Sequence, residues 1–184
     1  MALEASDEQL LRRAARPDGR QAFALLVNRH QSELRGSLRR LTRGNAALAD
    51  DLAQEAFIRA WRALGDFRGE SSFRTWLYRI AYRCFLSELR RGDPQTAELG
   101  EWDATADDTA GAGAFMRDFE RAMAALAPAQ RDAVHLALAR GFSHPEIADI
   151  MALPIGTVKT HVLRGRQKLQ QLLGDWEEGF GDDT

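Results

Sequence analysis

Basic and hydrogen-bonding side chains are concentrated in residues 157–168, near the C-terminal end of the sequence. Arginine and lysine bind phosphate, and with threonine and glutamine they also hydrogen-bond the edges of bases. Apolar residues interrupt them at intervals of four and three, as on one face of a helix. This apolar seam consists of Val158, Val162, Gly165, Leu169 and Leu172. The segment predicts a helix that packs on one side and offers a basic outer face to nucleic acid.

The side chains off this seam are the candidate DNA contacts. The N-terminal turns of such a helix reach base edges in DNA-binding helix-turn-helix motifs, and cations farther along suit phosphates. We expect Thr157 to cap the helix, whose N-terminus itself favours phosphate. The candidates are Thr157, Lys159, Thr160, His161, Leu163, Arg164 and Arg166.

A short helix precedes this segment. Residues 143–146 (SHPE) have the signature of a helix start, with serine as the N-cap, proline in the first turn and glutamate completing a capping box. Pro154 cannot continue the helix, so residues 153–156 form a turn. Capping and periodicity alone leave an ordinary helical hairpin with a solvated basic face as the alternative. The turn length and the one-sided basic face favour a DNA-binding helix-turn-helix.

Four further helices are predicted in the N-terminal half, at residues 6–16, 21–43, 47–64 and 71–91, and no segment alternates like a strand. The third carries a polar stripe of Asp51, Gln54, Glu55 and Arg59 opposite an apolar face that includes Leu52, Phe57 and Trp61. An acidic stripe beside a large apolar face suits docking to a partner. A solvated helix face is the alternative.

The fourth helix is preceded by a polar loop between two phenylalanines, residues 67–73 (FRGESSF). On the helix itself a tryptophan shares a face with arginines, a combination that suits single-stranded or melting DNA, because bases stack on aromatics while arginine follows the phosphates. Core packing of the tryptophan and a solvated arginine face are the alternatives. The candidates here are Phe67, Arg68, Gly69, Glu70, Ser71, Ser72, Trp76, Arg79 and Arg83.

Charge is segregated along the chain, although the net charge is only −2. Residues 93–113 contain six acids and no base, and residues 175–184 contain five acids and no base. The remainder has 16 acids against 25 bases, as phosphate binding requires. The sequence therefore predicts an all-α protein with two small helical domains, residues 1–92 and 114–174, joined by a flexible acidic linker (93–113) and followed by an acidic tail (175–184).

Several functional classes are not indicated. Of the 184 residues 45% are hydrophobic and 28% charged, with no apolar run long enough for a membrane span and no signal peptide, so we expect a cytoplasmic location. The single cysteine, Cys84, is expected in the core. No catalytic grouping, phosphate-binding glycine loop or metal-ligand cluster is present, and His144 and His161 have no partner at ligand spacing. We predict a protein that is not an enzyme and uses no metal or cofactor.

Several segments, taken together and in order, resemble the extracytoplasmic-function (ECF, group IV) sigma factors of the sigma-70 family. Residues 50–61 (DDLAQEAFIRAW) are similar to the helix of these factors that binds core RNA polymerase, and residues 67–81 (FRGESSFRTWLYRIA) to their reader of the promoter −10 element. Their −35-reading domain is matched at residues 125–131, 146–148 and 154–160.

The resemblance implies a sigma-2-like helical bundle and a sigma-4-like helix-turn-helix domain, and assigns roles. The stripe at Asp51, Gln54, Glu55 and Arg59 would bind the clamp helices of the largest polymerase subunit. The polar loop would capture a flipped −10 base, and the linker would run toward the RNA exit path. The C-terminal domain would sit on the flap of the second-largest subunit and read −35. An anti-sigma factor would bury these surfaces.

Three positions depart from the family pattern: Arg83 stands where Asn is common, Ser87 where Asp is common, and His161 where Arg is common. They leave the promoter preference of this chain open. Two other hypotheses remain at this point. A conventional helix-turn-helix regulator, with an N-terminal sensor or dimerisation domain, would bind duplex DNA specifically by itself. A helical adaptor would bind neither DNA nor polymerase.

Overall fold

The computed structural model describes residues 5–91 and 110–174, with side chains from residue 116 in the second range. Within them the chain is helical and has no strand, which confirms the all-α prediction. A 3-10 turn follows α3 at Leu64–Asp66, and a π-helical turn follows α6 at His135–Ala139. The helices are α1 (Asp7–Ala14), α2 (Arg20–Leu41), α3 (Ala46–Arg62), α4 (Phe73–Arg91), α5 (Ala110–Ala124), α6 (Pro128–Val134), α7 (His144–Met151) and α8 (Ile155–Leu173).

The helices fall into two compact units, as expected of a two-domain protein. The first contains α1–α4, and the second contains α5–α8 apart from Asp149–Met151 at the end of α7. Most of the predicted linker and the whole acidic tail lie outside the described residues. The end of the linker differs from the prediction, because α5 begins at Ala110, four residues before residue 114. Residues 110–114 alternate alanine with glycine, and glycine is a poor helix former, so local propensity does not predict this early start.

Helix α2 is the centre of the first unit and contacts α1, α3 and α4. Leu26, Leu34 and Leu38 are fully buried along it, and Leu77 of α4 is equally buried. Helix α3 turns small residues inward, since Ala53, Ala56 and Ala60 are no more than 1% exposed. Each buried leucine contributes about 2 kcal/mol of hydrophobic free energy, so this core suffices to hold α3 and α4 in place.

Trp61, predicted on the buried face of α3, is instead 39% exposed. Its ring packs beside the buried Phe23, with 4.9 Å between the ring centroids. The physical reason is the row of alanines beside it: small side chains bring α3 close to its neighbours, and a bulky indole next to that row has no space between the helices. The buried Cys84 agrees with the prediction of a core cysteine.

In the second unit α8 packs against α5 and α6. The predicted seam is confirmed at Val158, Val162, Gly165 and Leu169, which are buried. Its last member is wrong: Leu172 is 50% exposed, and Leu173 is buried in its place. A cluster of Ala122, Leu126, Val134, Leu169 and Leu173 explains the change, because α5 covers the side of α8 to which residue 173 points.

Gly165 is the point of closest approach in this unit. A Cβ atom placed on Gly165 would lie 2.4 Å from Cγ2 of Val134 on α6. Real Cβ atoms do not approach other atoms so closely, so the contact requires glycine. Gly165, a member of the predicted seam, therefore allows α6 and α8 to pack closely.

The helix-turn-helix is formed by α7, a turn and α8. The predicted capping box is present, and the Glu146 carboxylate accepts hydrogen bonds from the Ser143 backbone N–H (2.9 Å) and hydroxyl (2.7 Å). The predicted cap of α8 is wrong, since the helix begins at Ile155 rather than after Thr157. Pro154 supplies the extended residue before the helix, and its carbonyl accepts from the Thr157 N–H at 2.9 Å. Thr157 thus lies within the first turn.

Candidate nucleic-acid interface

The outer face of α8 carries most of the candidate DNA contacts, and its burial pattern fits that assignment. Lys159, Thr160, Leu163, Arg164 and Arg166 are exposed, while Thr157 and His161 are half-buried. Leu163 is 59% exposed in the middle of these polar groups. An exposed leucine there has the chemistry to contact a thymine methyl group.

The cations of this face form no ion pairs within the described part of the chain. Among the residues that the structure describes, no acidic side chain pairs with Lys159, Arg164 or Arg166. The Thr160 hydroxyl donates to the Gly156 carbonyl at 2.9 Å, which leaves its oxygen able to accept. Lys168, the last cation of residues 157–168, donates to the Ala125 carbonyl at 2.8 Å and so fixes α8 to the end of α5.

The polar loop, residues 67–73, rests on a row of aromatic rings. Trp76 lies between the two ends of the loop, with its ring 5.0 Å from Phe67 and 5.9 Å from Phe73. His30 of α2 extends the row, because its ring meets Phe73 edge-on at 5.2 Å. We call His30, Phe73, Trp76 and Phe67 the aromatic row. It holds both ends of the loop against the first unit.

The tip of the polar loop points its polar groups to solvent. Arg68, Gly69 and Glu70 are exposed, and Gly69 has φ +72°, a backbone conformation that suits glycine. Ser72 has a structural role: its hydroxyl accepts from the Thr75 N–H at 3.0 Å and caps α4. The groups left for a ligand are therefore those of residues 68–71.

Trp76 is only 7% exposed, so core packing describes it and its ring faces are not open for stacking on bases. The sequence places Trp76 on a helix face but does not show whether the core covers that face or DNA can reach it. The arginines predicted beside it differ, since Arg79 is half-buried and Arg83 is exposed. The predicted group therefore does not form one surface. Trp76 supports the loop from the core, whereas Arg83 is exposed.

The polar face of α3, formed by Asp51, Gln54, Glu55 and Arg59, lies at the surface. Asp51, Gln54 and Arg59 are exposed and Glu55 is half-buried. The Arg59 Nε donates to Glu55 at 2.6 Å, and this hydrogen bond raises the pKa of Arg59. Burial raises the pKa of the neighbouring Cys84 thiol, which therefore stays protonated at neutral pH. The face presents two acids, one of them open, for a cationic partner.

Sequence patterns missed an ion pair that braces the start of α4. The Arg74 Nε lies 3.2 and 3.3 Å from the two carboxylate oxygens of Glu33 on α2, and a terminal nitrogen of Arg74 also bonds Glu33. The Tyr78 hydroxyl donates to the Glu33 backbone carbonyl at 3.3 Å. The two partners stand 41 residues apart, a separation for which no local pattern exists.

Comparison with known proteins agrees with these two units. Sigma-70 region 2 matches residues 26–94, and Sigma-70 region 4 matches residues 116–169. The RNA polymerase sigma-H factor of Pseudomonas aeruginosa is 37% identical, over 94% of this chain and 96% of its own length. The ECF RNA polymerase sigma-E factor of Haemophilus influenzae is 33% identical, over 92% and 96%.

A solved structure of the sigma factor RpoE with the anti-sigma factor NepR from Bartonella quintana has a TM-score of 0.68 and 29% identity, covering 82% of this chain and 96% of that one. Fold and matches together define a two-domain transcription initiation factor. The chain belongs to the sigma-70 family of RNA polymerase sigma factors and, within it, to the ECF type. A conventional helix-turn-helix regulator is not favoured. No helix in the described residues has the length and apolar content to span a membrane.

Proposed function

We propose that this sigma factor reads its promoters with two surfaces on separate units and binds core RNA polymerase with a third. The outer face of α8 contacts the −35 element, and the polar loop with Arg79 and Arg83 contacts the −10 element. The polar face of α3 binds the clamp helices of the largest subunit, while the second unit rests on the flap. Residues 1–92 and the segment from the start of α5 to residue 174 act as the two domains. The chain has no catalytic step of its own and works in the cytoplasm.

The observation that carries this proposal is the state of the α8 cations. Lys159, Arg164 and Arg166 project from a helix whose opposite side is fully packed, and no described acid neutralises them. Such a row of exposed, unpaired cations is what phosphate contacts require. The exposed tip of the polar loop, held by the half-buried Phe67 and the buried Phe73, adds a second surface on the first unit.

An anti-sigma partner is part of the proposal. The Bartonella quintana neighbour was solved in complex with its anti-sigma factor. A protein that covered the polar face of α3 or the outer face of α8 in this chain would prevent transcription by competing for surface. We propose that a partner of this kind holds the factor inactive.

Transcription in vitro with purified core RNA polymerase of the host bacterium tests the proposal. Genomic fragments serve as template, and transcript 5′ ends map the promoters. We expect defined start sites only when the chain and core are both present. Core binding without promoter-directed transcripts would contradict the proposal, and specific duplex binding by the chain alone would support a conventional regulator.

Two pairs of variants separate the surfaces. Lys159→Ala with Arg164→Ala should lower transcription while core affinity stays unchanged. Asp51→Lys with Glu55→Lys should lower core affinity without unfolding the chain. The matched controls remove or reverse equal charge elsewhere on the first unit, as Arg12→Ala with Arg13→Ala and as Glu8→Lys with Asp18→Lys. If the controls have the same effects, net charge and not these surfaces explains the losses.

A further inference from the structure

The aromatic row does not end at the polar loop but continues to the N-terminal helix. His30 is buried in the middle of α2, 7% exposed. One edge of its ring meets Phe73, the last residue of the polar loop, at 5.2 Å between ring centroids. Its Nε2 atom lies 2.7 Å from the Oδ2 atom of Asp7, the first residue of α1. His30 therefore joins α1 to the base of the loop.

Asp7 is itself held in place. Its other carboxylate oxygen accepts from a terminal nitrogen of Arg29 at 2.6 Å, and Arg29 also donates to the Ala5 carbonyl at 2.9 Å. Hydrogen bonds in which a partner is charged are the stronger ones. These bonds attach the start of α1 to α2. Helix α1 itself belongs to neither matched sigma-70 region, since the first match begins at residue 26.

We propose that Asp7 and His30 are positioning residues for the polar loop, so that α1 contributes to the capture of the −10 strand. Successive contacts link Asp7 to His30, His30 to Phe73, Phe73 to Trp76 and Trp76 to Phe67, and so reach both ends of the loop. This inference rests on the proposed function of the loop. It assigns a promoter-directed role to α1, whose own residues include none of the proposed DNA contacts.

The physical basis is the environment of the histidine. Without the Asp7 carboxylate, a nitrogen of a buried imidazole loses its hydrogen bond, which is unfavourable enough to make the ring turn toward water. The ring edge then leaves Phe73. The tip of the polar loop has no hydrogen-bonded ladder of its own, so its position depends on the aromatic rings beneath it.

The test uses the holoenzyme assembled from core polymerase and the full chain. Its probe is a fluorescent single-stranded oligonucleotide with the non-template −10 sequence of a promoter mapped as above. Asp7→Ala should weaken binding of this strand about tenfold, with core affinity unchanged. Asp7→Asn keeps groups that can bond both Arg29 and His30 and should restore near wild-type binding. Glu8→Ala removes the neighbouring exposed carboxylate as the matched control and should have no effect.

The outcomes separate the inference from the function on which it rests. Unchanged strand binding in Asp7→Ala overturns the inference, as does an equal loss of core affinity, which would make Asp7 a purely structural residue. A double variant with His30→Gln should be no weaker than Asp7→Ala alone, because both break the same link; additive losses would contradict that link. If wild type itself does not prefer the −10 strand to a scrambled one, and Arg68→Ala with Glu70→Ala changes nothing, the loop's proposed function fails.

Discussion

The polar loop and the outer face of α8 present similar chemistry on different supports. In the loop, the exposed groups of residues 68–71 stand on irregular backbone, and buried aromatic rings fix their position. On α8, Lys159 and Arg164 stand on a regular helix whose own hydrogen bonds place them, and only the seam behind must be packed. The position of the loop surface therefore depends on the side chains packed beneath it, among them the distant His30, whereas the backbone of α8 by itself sets the spacing of its surface residues.

The comparison also extends to charge. In the first unit Arg59 and Arg74 are paired with Glu55 and Glu33. The cations on the outer face of α8 have no such partner among the described residues. The Arg74 pair braces α4 against α2 and the Arg59 pair lies within α3, whereas unpaired cations are available to phosphate. The first unit thus uses part of its positive charge for architecture, and the second offers it to a ligand.

Replacing the central ring of the aromatic row should produce the largest effect. Trp76→Leu removes a buried indole and leaves a cavity, so we expect unfolding free energy to fall by about 3 kcal/mol, with loss of −10 strand binding. Trp61→Leu is the matched control, because Trp61 is 39% exposed and should lose less than about 1 kcal/mol. Chemical denaturation measures the unfolding free energy of both variants, and the fluorescent −10 strand measures their binding in the holoenzyme. Equal losses of strand binding would mean that the loop has no special dependence on Trp76.

A methyl group added at Gly165 tests the packing of the helix surface. Gly165→Ala favours the helix by propensity but places Cβ 2.4 Å from Val134, so we expect a net loss of about 1–2 kcal/mol. Gly156, near the start of the same helix, has nothing within 4 Å of its added Cβ. Gly156→Ala should therefore stabilise by up to about 1 kcal/mol. Thermal unfolding measures whether each variant gains or loses stability. If Gly165→Ala is stabilised as Gly156→Ala is, the close contact with Val134 is contradicted.

Sequence periodicity predicts most of the apolar seam of α8 but not the fate of Trp61 and Trp76, which depends on neighbouring helices. The Ser143 capping box and the seam from Val158 to Leu169 were predictable, because both depend on residues within one or two helical turns. The seam prediction includes Leu172, but the structure buries Leu173 instead, since α5 decides which side of α8 is covered. The burial of Trp76 and the bond between Asp7 and His30 follow from helix packing, for which the sequence has no local signal.

Neutralising the outer face of α8 should change DNA binding and leave stability unchanged. Lys159→Ala with Arg164→Ala removes two phosphate contacts, so the slope of log affinity against log salt should become less steep by about 1.8. Lys168→Ala provides the contrast, because its ammonium group is bonded to the Ala125 carbonyl. It should lower stability slightly and change the slope less. Salt titrations of holoenzyme on a −35 duplex measure these slopes, and an unchanged slope in the double variant would remove both residues from the interface.

The smallest expected effect concerns the left-handed residues of the two surfaces. The polar loop has Gly69 at φ +72°, whereas the helix-turn-helix has Ala152 at φ +54° between α7 and α8. A side chain in this conformation costs about 1 kcal/mol, and glycine avoids that strain but loses more chain entropy on folding. Ala152 is exposed, so Ala152→Gly removes no packing, and we expect a net gain of about 0.5 kcal/mol.

Denaturant unfolding monitors this change, with Ala124→Gly at the exposed end of α5 as the control, where a right-handed residue is replaced and stability should fall. The reciprocal change, Gly69→Ala, should cost about 1 kcal/mol at the loop. Opposite signs at residues 69 and 152 would show that both turns require the same backbone and that only the loop has the residue suited to it. If Ala152→Gly destabilises as much as the control, the alanine is not strained, and the turn before α8 is held by α7 and α8 rather than by its own conformation.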